Sequence, residues 1–135
     1  MMKLKLGLCV LVTLFCVSSV HAASSQSKLK RIKFGRGATS VTVVGKLNHF
    51  DDQQTFVLEV RNGQSMKVEQ ITPNNRRTTL TITDPTGTDV TDMDASCNNQ
   101  KLVKPTVGGD YRIRVFECKK ADPWKGSYSL KITVK

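Results

Sequence analysis

A nucleophilic hydrolase needs a base within hydrogen-bond reach of its hydroxyl or thiol, and this chain offers few bases. Its two histidines are His21 and His49. The first falls in an N-terminal leader, which leaves His49 in the turn-like stretch Asn48-His49-Phe50-Asp51-Asp52, with no Gly-x-Ser-x-Gly elbow anywhere in the chain. It reads as a solvated loop histidine. A Walker loop, a dinucleotide-binding glycine fingerprint and a His-Glu-x-x-His pair are absent as well, so the sequence argues against those enzyme classes and implies no cofactor. Asp84, Asp89, Asp92 and Asp94 fall within eleven residues, a density of carboxylates that calcium can use. Their order lacks the EF-hand pattern and its terminal glutamate. They read as turn-forming aspartates, and no metal site is expected.

The cysteines divide by compartment. Lys3 and Lys5 precede an apolar run from Leu6 to Val17, and Val20-His21-Ala22 supplies a small-residue end for cleavage, so residues 1–22 read as a signal peptide. An apolar run of about a dozen residues is too short for the ~20 that span a bilayer. Cys9 and Cys16 leave with the leader. Cys97 and Cys118 remain as an even pair in an oxidising compartment, periplasmic or secreted, and read as a disulfide closing a loop of about 20 residues, worth roughly 3 kcal/mol. Two cysteines and one histidine cannot complete a structural zinc site.

Charge is the next constraint. The whole chain carries 21 Lys and Arg against 11 Asp and Glu, and losing Lys3 and Lys5 with the leader still leaves a net charge of +8. Anionic partners therefore need consideration. The densest basic stretch is Lys28, Lys30, Arg31, Lys33 and Arg36. It has two readings: a solvated edge strand kept from aggregating by lysines, or a contact for an anionic glycan or lipid of the cell envelope. Nucleic acid is not expected, because only Phe34 is interleaved and no stacking platform results. A second basic stretch, from Cys118 through Lys119, Lys120 and Trp124 to Lys125, contains the single tryptophan. Trp124 either presents a rigid recognition surface or folds over the end of the core.

These groups must be held by short strands. Residues 23–29 are small and polar at their start and read as a flexible mature N-terminus, followed by one domain over residues 30–135. Tyr128, Leu130, Ile132 and Val134 alternate with Ser129, Lys131, Thr133 and Lys135, the pattern of a strand with one wet face. Tyr111, Ile113 and Val115 repeat it, as do Phe56, Leu58 and Val60, then Met66 and Val68, then Leu80 and Ile82. Asn62-Gly63 predicts a tight hairpin between two of these runs, Asp84-Pro85-Thr86-Gly87 a turn with proline second, and Gly108-Gly109-Asp110 a turn leading into a strand. No window sustains a 3.6-residue apolar period. Seven or eight strands in about 105 residues predict an all-β fold, a small antiparallel sandwich.

The order of the segments resembles a known family. Arg36-Gly37-Ala38-Thr39-Ser40-Val41-Thr42-Val43-Val44-Gly45-Lys46-Leu47, Phe56-Val57-Leu58-Glu59-Val60-Arg61-Asn62-Gly63-Gln64, Gly109-Asp110-Tyr111-Arg112-Ile113-Arg114-Val115 and Gly126-Ser127-Tyr128-Ser129-Leu130-Lys131-Ile132 are similar to segments of the periplasmic inhibitors of g-type and i-type lysozymes. The resemblance covers most of residues 30–135. It implies an exported, non-enzymatic sandwich that occludes the substrate cleft of a lysozyme from a host or competitor; the sequence does not choose between monomer and homodimer. It also implies that the Gly-x-Tyr part of the inhibitory loop is Gly109-Asp110-Tyr111, with Gly108 where the family has serine. The basic loop after the strand begun there also contains Trp124 and matches the family's second loop in position, with Lys119, Lys120 and Lys125 as amines able to face acidic groups in the cleft.

Overall fold

The computed structural model describes residues 28–71, 77–91, 97–119 and 124–135. The leader, residues 23–27, Asp92, Asp94 and Lys120 lie outside them. Alternating side chains form eight strands: β1 (Lys28–Arg31), β2 (Ser40–Leu47), β3 (Gln53–Val60), β4 (Met66–Gln70), β5 (Thr78–Thr83), β6 (Gln100–Val103), β7 (Gly109–Glu117) and β8 (Gly126–Val134). They make two four-stranded sheets, ordered β1-β3-β7-β5 and β2-β8-β4-β6.

Each sheet turns its apolar file inward. Phe56 and Leu58 of β3, Leu80 and Ile82 of β5, and Tyr111, Ile113 and Val115 of β7 meet Leu47, Met66, Val68, Tyr128, Leu130 and Ile132 from the opposite layer. Burying a large apolar side chain of this kind contributes about 1.5–3 kcal/mol, so these files dominate the stability of the domain. Two polar groups cross the core. The Tyr128 hydroxyl of β8 donates to Gln54 Oε1 of β3 at 2.5 Å, and burial pushes that phenol's pKa upward. Gly45 makes room for the pair, since a Cβ there would lie 2.2 Å from the Tyr128 hydroxyl and from Gln54 Oε1.

Three features depart from the sequence expectation. The Asn62-Gly63 turn is not a hairpin: β3 belongs to one sheet and β4 to the other, so the chain arches over the end of the sandwich. Gly63 takes the positive φ of 79° the dipeptide suggests, but its amide donates to Thr106 O (2.8 Å) outside the turn. An alternating pattern specifies which face of each strand is buried and not which sheet the strand joins. Next, β1 pairs with β3 in parallel, an exception in an otherwise antiparallel sandwich. Finally, pairing begins at Lys28, inside the span expected to be flexible.

Candidate functional site

The residues singled out for recognition sit on connections attached to β7, and β7 separates them. Gly109 begins this nine-residue strand and Glu117 ends it, a rise of about 27 Å at ~3.4 Å per residue. Gly108, Gly109 and Asp110 therefore lie at one end of the sandwich. Lys119, Trp124 and Lys125 lie at the other. The structure does not bring the two groups together, and one cleft cannot receive both.

The first end is organised around the β6–β7 connection. Thr106, almost completely buried, accepts at Oγ1 from the Gln64 amide (2.9 Å) and donates from it to Arg61 O (2.6 Å). Its backbone amide donates to Gln64 O (2.9 Å), and its carbonyl accepts from Gly63. The arch over residues 61–64 and the β6–β7 loop thus form one knot. Tyr111 points into the core, and its hydroxyl accepts from the Val107 amide at 2.9 Å, bracing the loop instead of facing a partner. A Cβ on Gly109, whose φ is 135°, would lie 2.8 Å from Pro85 Cβ, so the β5 turn rests against this strand. Gly108 is exposed, and a Cβ there would stand 3.2 Å from the Asn62 amide nitrogen.

Carboxylates at this end are engaged locally. Asp84 Oδ1 accepts from the Thr86 amide, the Thr86 hydroxyl and the Thr88 amide, while Gly87 N donates to Asp84 O, as the proline-containing turn predicts. The Thr86 hydroxyl bond is the main cause holding Asp84 below the usual carboxylate range, with the amides adding to it. Asp89 accepts from the Thr91 amide and hydroxyl. Among the described residues no cluster of His, Cys, Asp or Glu is arranged to hold a metal ion. Asp110 and Arg31 form a two-pronged ion pair at 2.9 and 2.6 Å. Both side chains are about half exposed; the pair lowers the Asp110 pKa and raises that of Arg31, chiefly through the hydrogen bonds. Within the basic stretch Arg31 is committed to Asp110 and Ile32 is buried, while Lys30, Lys33 and Arg36 are exposed.

At the second end Cys97 and Cys118 are joined, spanning 21 positions with their Cα atoms 5.1 Å apart. The Cys118 amide donates to Arg77 O (2.9 Å), and the Lys119 amide donates to Oε2 of the buried Glu117 (2.9 Å). Lys119 Nζ is 3.0 Å from Asp51 Oδ1 and 4.7 Å from the centre of the Phe50 ring. Asp52 Oδ2 accepts from the amides of Asn48 and His49, and His49 itself is exposed. Trp124 is half-buried against the core, its ring within 2.7 Å of where a Gly126 Cβ would be; of its two readings, the structure favours the cap. Lys125 is exposed.

Three residues of the first end carry no signal in a one-dimensional reading. Thr106 ties the loops, and Arg61 and Lys104 are exposed cations on the connections flanking Gly108. Arg61 adjoins the Asn62-Gly63 turn, and reading that turn as a hairpin hides its nearness to Gly108.

With both ends described, solved structures supply a comparison. The chain shares its fold with inhibitors of g-type lysozyme. PliG of Aeromonas hydrophila, a periplasmic lysozyme inhibitor of g-type lysozyme, superposes with a TM-score of 0.64 over 79% of this chain and 96% of its own, at 18% identity. PliG of Salmonella Typhimurium, with the same description, gives 0.60 at 18% identity over 81% of this chain and 99% of its own. The pre-peptidase C-terminal domain of a Bacillus anthracis collagenase gives 0.54 at 18% identity over 81% of this chain and 96% of that one. No protein-family model matches the sequence, and no curated protein does. At these identities the likeness concerns the fold, and the sandwich with its resemblance to the lysozyme inhibitors is as the segment order implies.

Proposed function

We propose that this protein is a non-enzymatic inhibitor of a lysozyme, acting in the periplasm or after secretion, and that the end carrying Gly108, Gly109 and Asp110 enters the enzyme's substrate cleft. The observation that carries the reading is the near-complete overlap with two periplasmic inhibitors of g-type lysozyme, 96% and 99% of their chains. The order of motifs along the sequence supports the same conclusion.

The choice of end rests on rigidity and access. Ordering a mobile loop on binding costs free energy, and a loop already tied at Thr106, Gln64 and Tyr111 avoids most of that cost. Gly108 carries no side chain, so a partner's surface can approach its backbone closely. Arg61, next to the Asn62 that lies against Gly108, and Lys104, at the start of the β6–β7 connection, are exposed cations able to face cleft carboxylates. At the opposite end Lys119 is occupied by Asp51 and Phe50, and Trp124 is turned against the core.

Clearing of a cell-wall suspension by g-type, i-type and c-type lysozymes tests this. Purified protein at micromolar concentration should slow at least one of them, the g-type first. Unchanged rates for all three would remove the reading.

A further inference from the structure

A sandwich of two open sheets has four edge strands, and each edge strand carries unpaired backbone groups that another strand can join. Three of the four edges here are blunted. β1 has four residues with Lys28, Lys30 and Arg31 among them, and β6 has only four. β5 is met along its outer side by the chain that follows it. Thr83 bridges to Asp89, the Val90 amide donates to Ile82 O, the Leu80 amide donates to Asn98 O, and the Ile82 amide donates to Thr91 Oγ1.

β2 is different. It is eight residues long, contains no proline, and runs Ser40-Val41-Thr42-Val43-Val44-Gly45 before its first charge at Lys46. The Val134 amide donates to Thr39 O, so in the antiparallel register with β8 the odd-numbered residues from Thr39 to Leu47 bond inward to β8. The backbone groups of Ser40, Thr42, Val44 and Lys46 then face away from the sheet. Among the described residues no strand pairs with this edge. Near this edge Leu29 (59% exposed) and Val44 (60%) border one cavity of about 300 Å³ that Lys30, Gln54 and Phe56 also line.

We infer that the free edge of β2 pairs with β2 of a second copy, joining two sheets into one continuous eight-stranded sheet across a two-fold axis. The strand is complementary to itself. Centred on Val43, an antiparallel register sets Thr42 against Val44, Val41 against Gly45 and Ser40 against Lys46 of the other copy. All four outward-facing residues are then matched, and no like charges stand opposite one another. Both ends of each sandwich stay uncovered, so dimer formation and lysozyme binding are separate properties with separate readouts.

Sedimentation or light scattering of the secreted protein, combined with hydrogen exchange, tests this. At about 100 µM the wild type should show twice the monomer mass, with the Thr42, Val44 and Lys46 amides slow to exchange and released on dilution. Val44→Lys puts a charge at an already exposed position. Thr42→Pro removes an outward-facing donor without taking a bond from β8. Each should yield monomer with unaltered unfolding. A wild type that stays monomeric at 100 µM, or a dimer that survives both substitutions, would overturn the inference. Protection of those amides at every dilution would also overturn it, since it would assign the edge to another segment of the same chain.

Discussion

The two ends of this sandwich are both stiff, but by different means. Around Gly108 the connections are fastened chiefly by neutral hydrogen bonds to the buried Thr106 and Tyr111, with the half-exposed Arg31–Asp110 ion pair beside them. Around Lys119 the fastening is a covalent bridge, an ion pair and a cation over an aromatic ring. The contrast teaches that rigidity and availability are separate quantities. The first end leaves Arg61 and Lys104 exposed on loops already shaped, while the second engages Lys119 and Trp124 in holding itself together.

Substitutions at the two ends should dissociate stability from inhibition, and the largest effect on stability falls at the second. Replacing both Cys97 and Cys118 with alanine should cost about 3 kcal/mol in denaturant unfolding, as expected for a loop of this length, while inhibition by the folded fraction stays unchanged. Thr106→Val removes a donor and an acceptor from a buried site and strands Gln64 N and Arg61 O. A loss of about 2 kcal/mol follows, with inhibition weakened more than stability alone explains. If the two variants exchanged these profiles, the assignment of roles would be reversed.

Gly108→Ser should be milder. The new Cβ meets the Asn62 amide at 3.2 Å, so the arch must yield by a few tenths of an ångström, at a cost of under about 1 kcal/mol. Because it restores the hydroxyl expected from the family resemblance, the same variant should inhibit at least as strongly as wild type in the clearing assay. The smallest effect is on pH dependence. Asp84 and Asp110 both have depressed pKa values when folded, so each contributes stability that is present above the ordinary carboxylate range near pH 4. That contribution is lost as pH falls below 4 toward the folded-state values. An Asp110→Asn variant should show a flatter fall in unfolding midpoint over that window than wild type, and the same fall would show the ion pair to be energetically idle.

Strands with a strict alternation were readable from the sequence: β8, β7 and β5 each bury every second residue, and the composition rule needs no knowledge of neighbours. The sheet assignments were not. Val60 and Met66 are both buried and five residues link their strands, but nothing in the chain says that the first faces up from one layer and the second down from the other. β2 was masked by Val44, an apolar side chain pointing to solvent, and by Gly45, which occupies an inward position with no side chain. The candidate site suffered in the same way. Gly109 and Lys119 are ten positions apart along the chain, which suggests proximity, whereas an extended strand makes nearly every intervening residue a separation of ~3.4 Å. Cys97 and Cys118 were legible because pairing depends on count and compartment and not on topology.

The central claim is that one end of the sandwich, and not the other, fills a lysozyme cleft. Inhibition constants for Arg61→Glu and Lys125→Glu against g-type lysozyme, the same charge reversal of an exposed cation at each end, measured side by side on variants shown to unfold like wild type, test it most directly. The inhibition constant should be raised about tenfold or more, ~1.4 kcal/mol, by the change at Arg61 and left within about twofold by the change at Lys125. A loss confined to Lys125→Glu would contradict it.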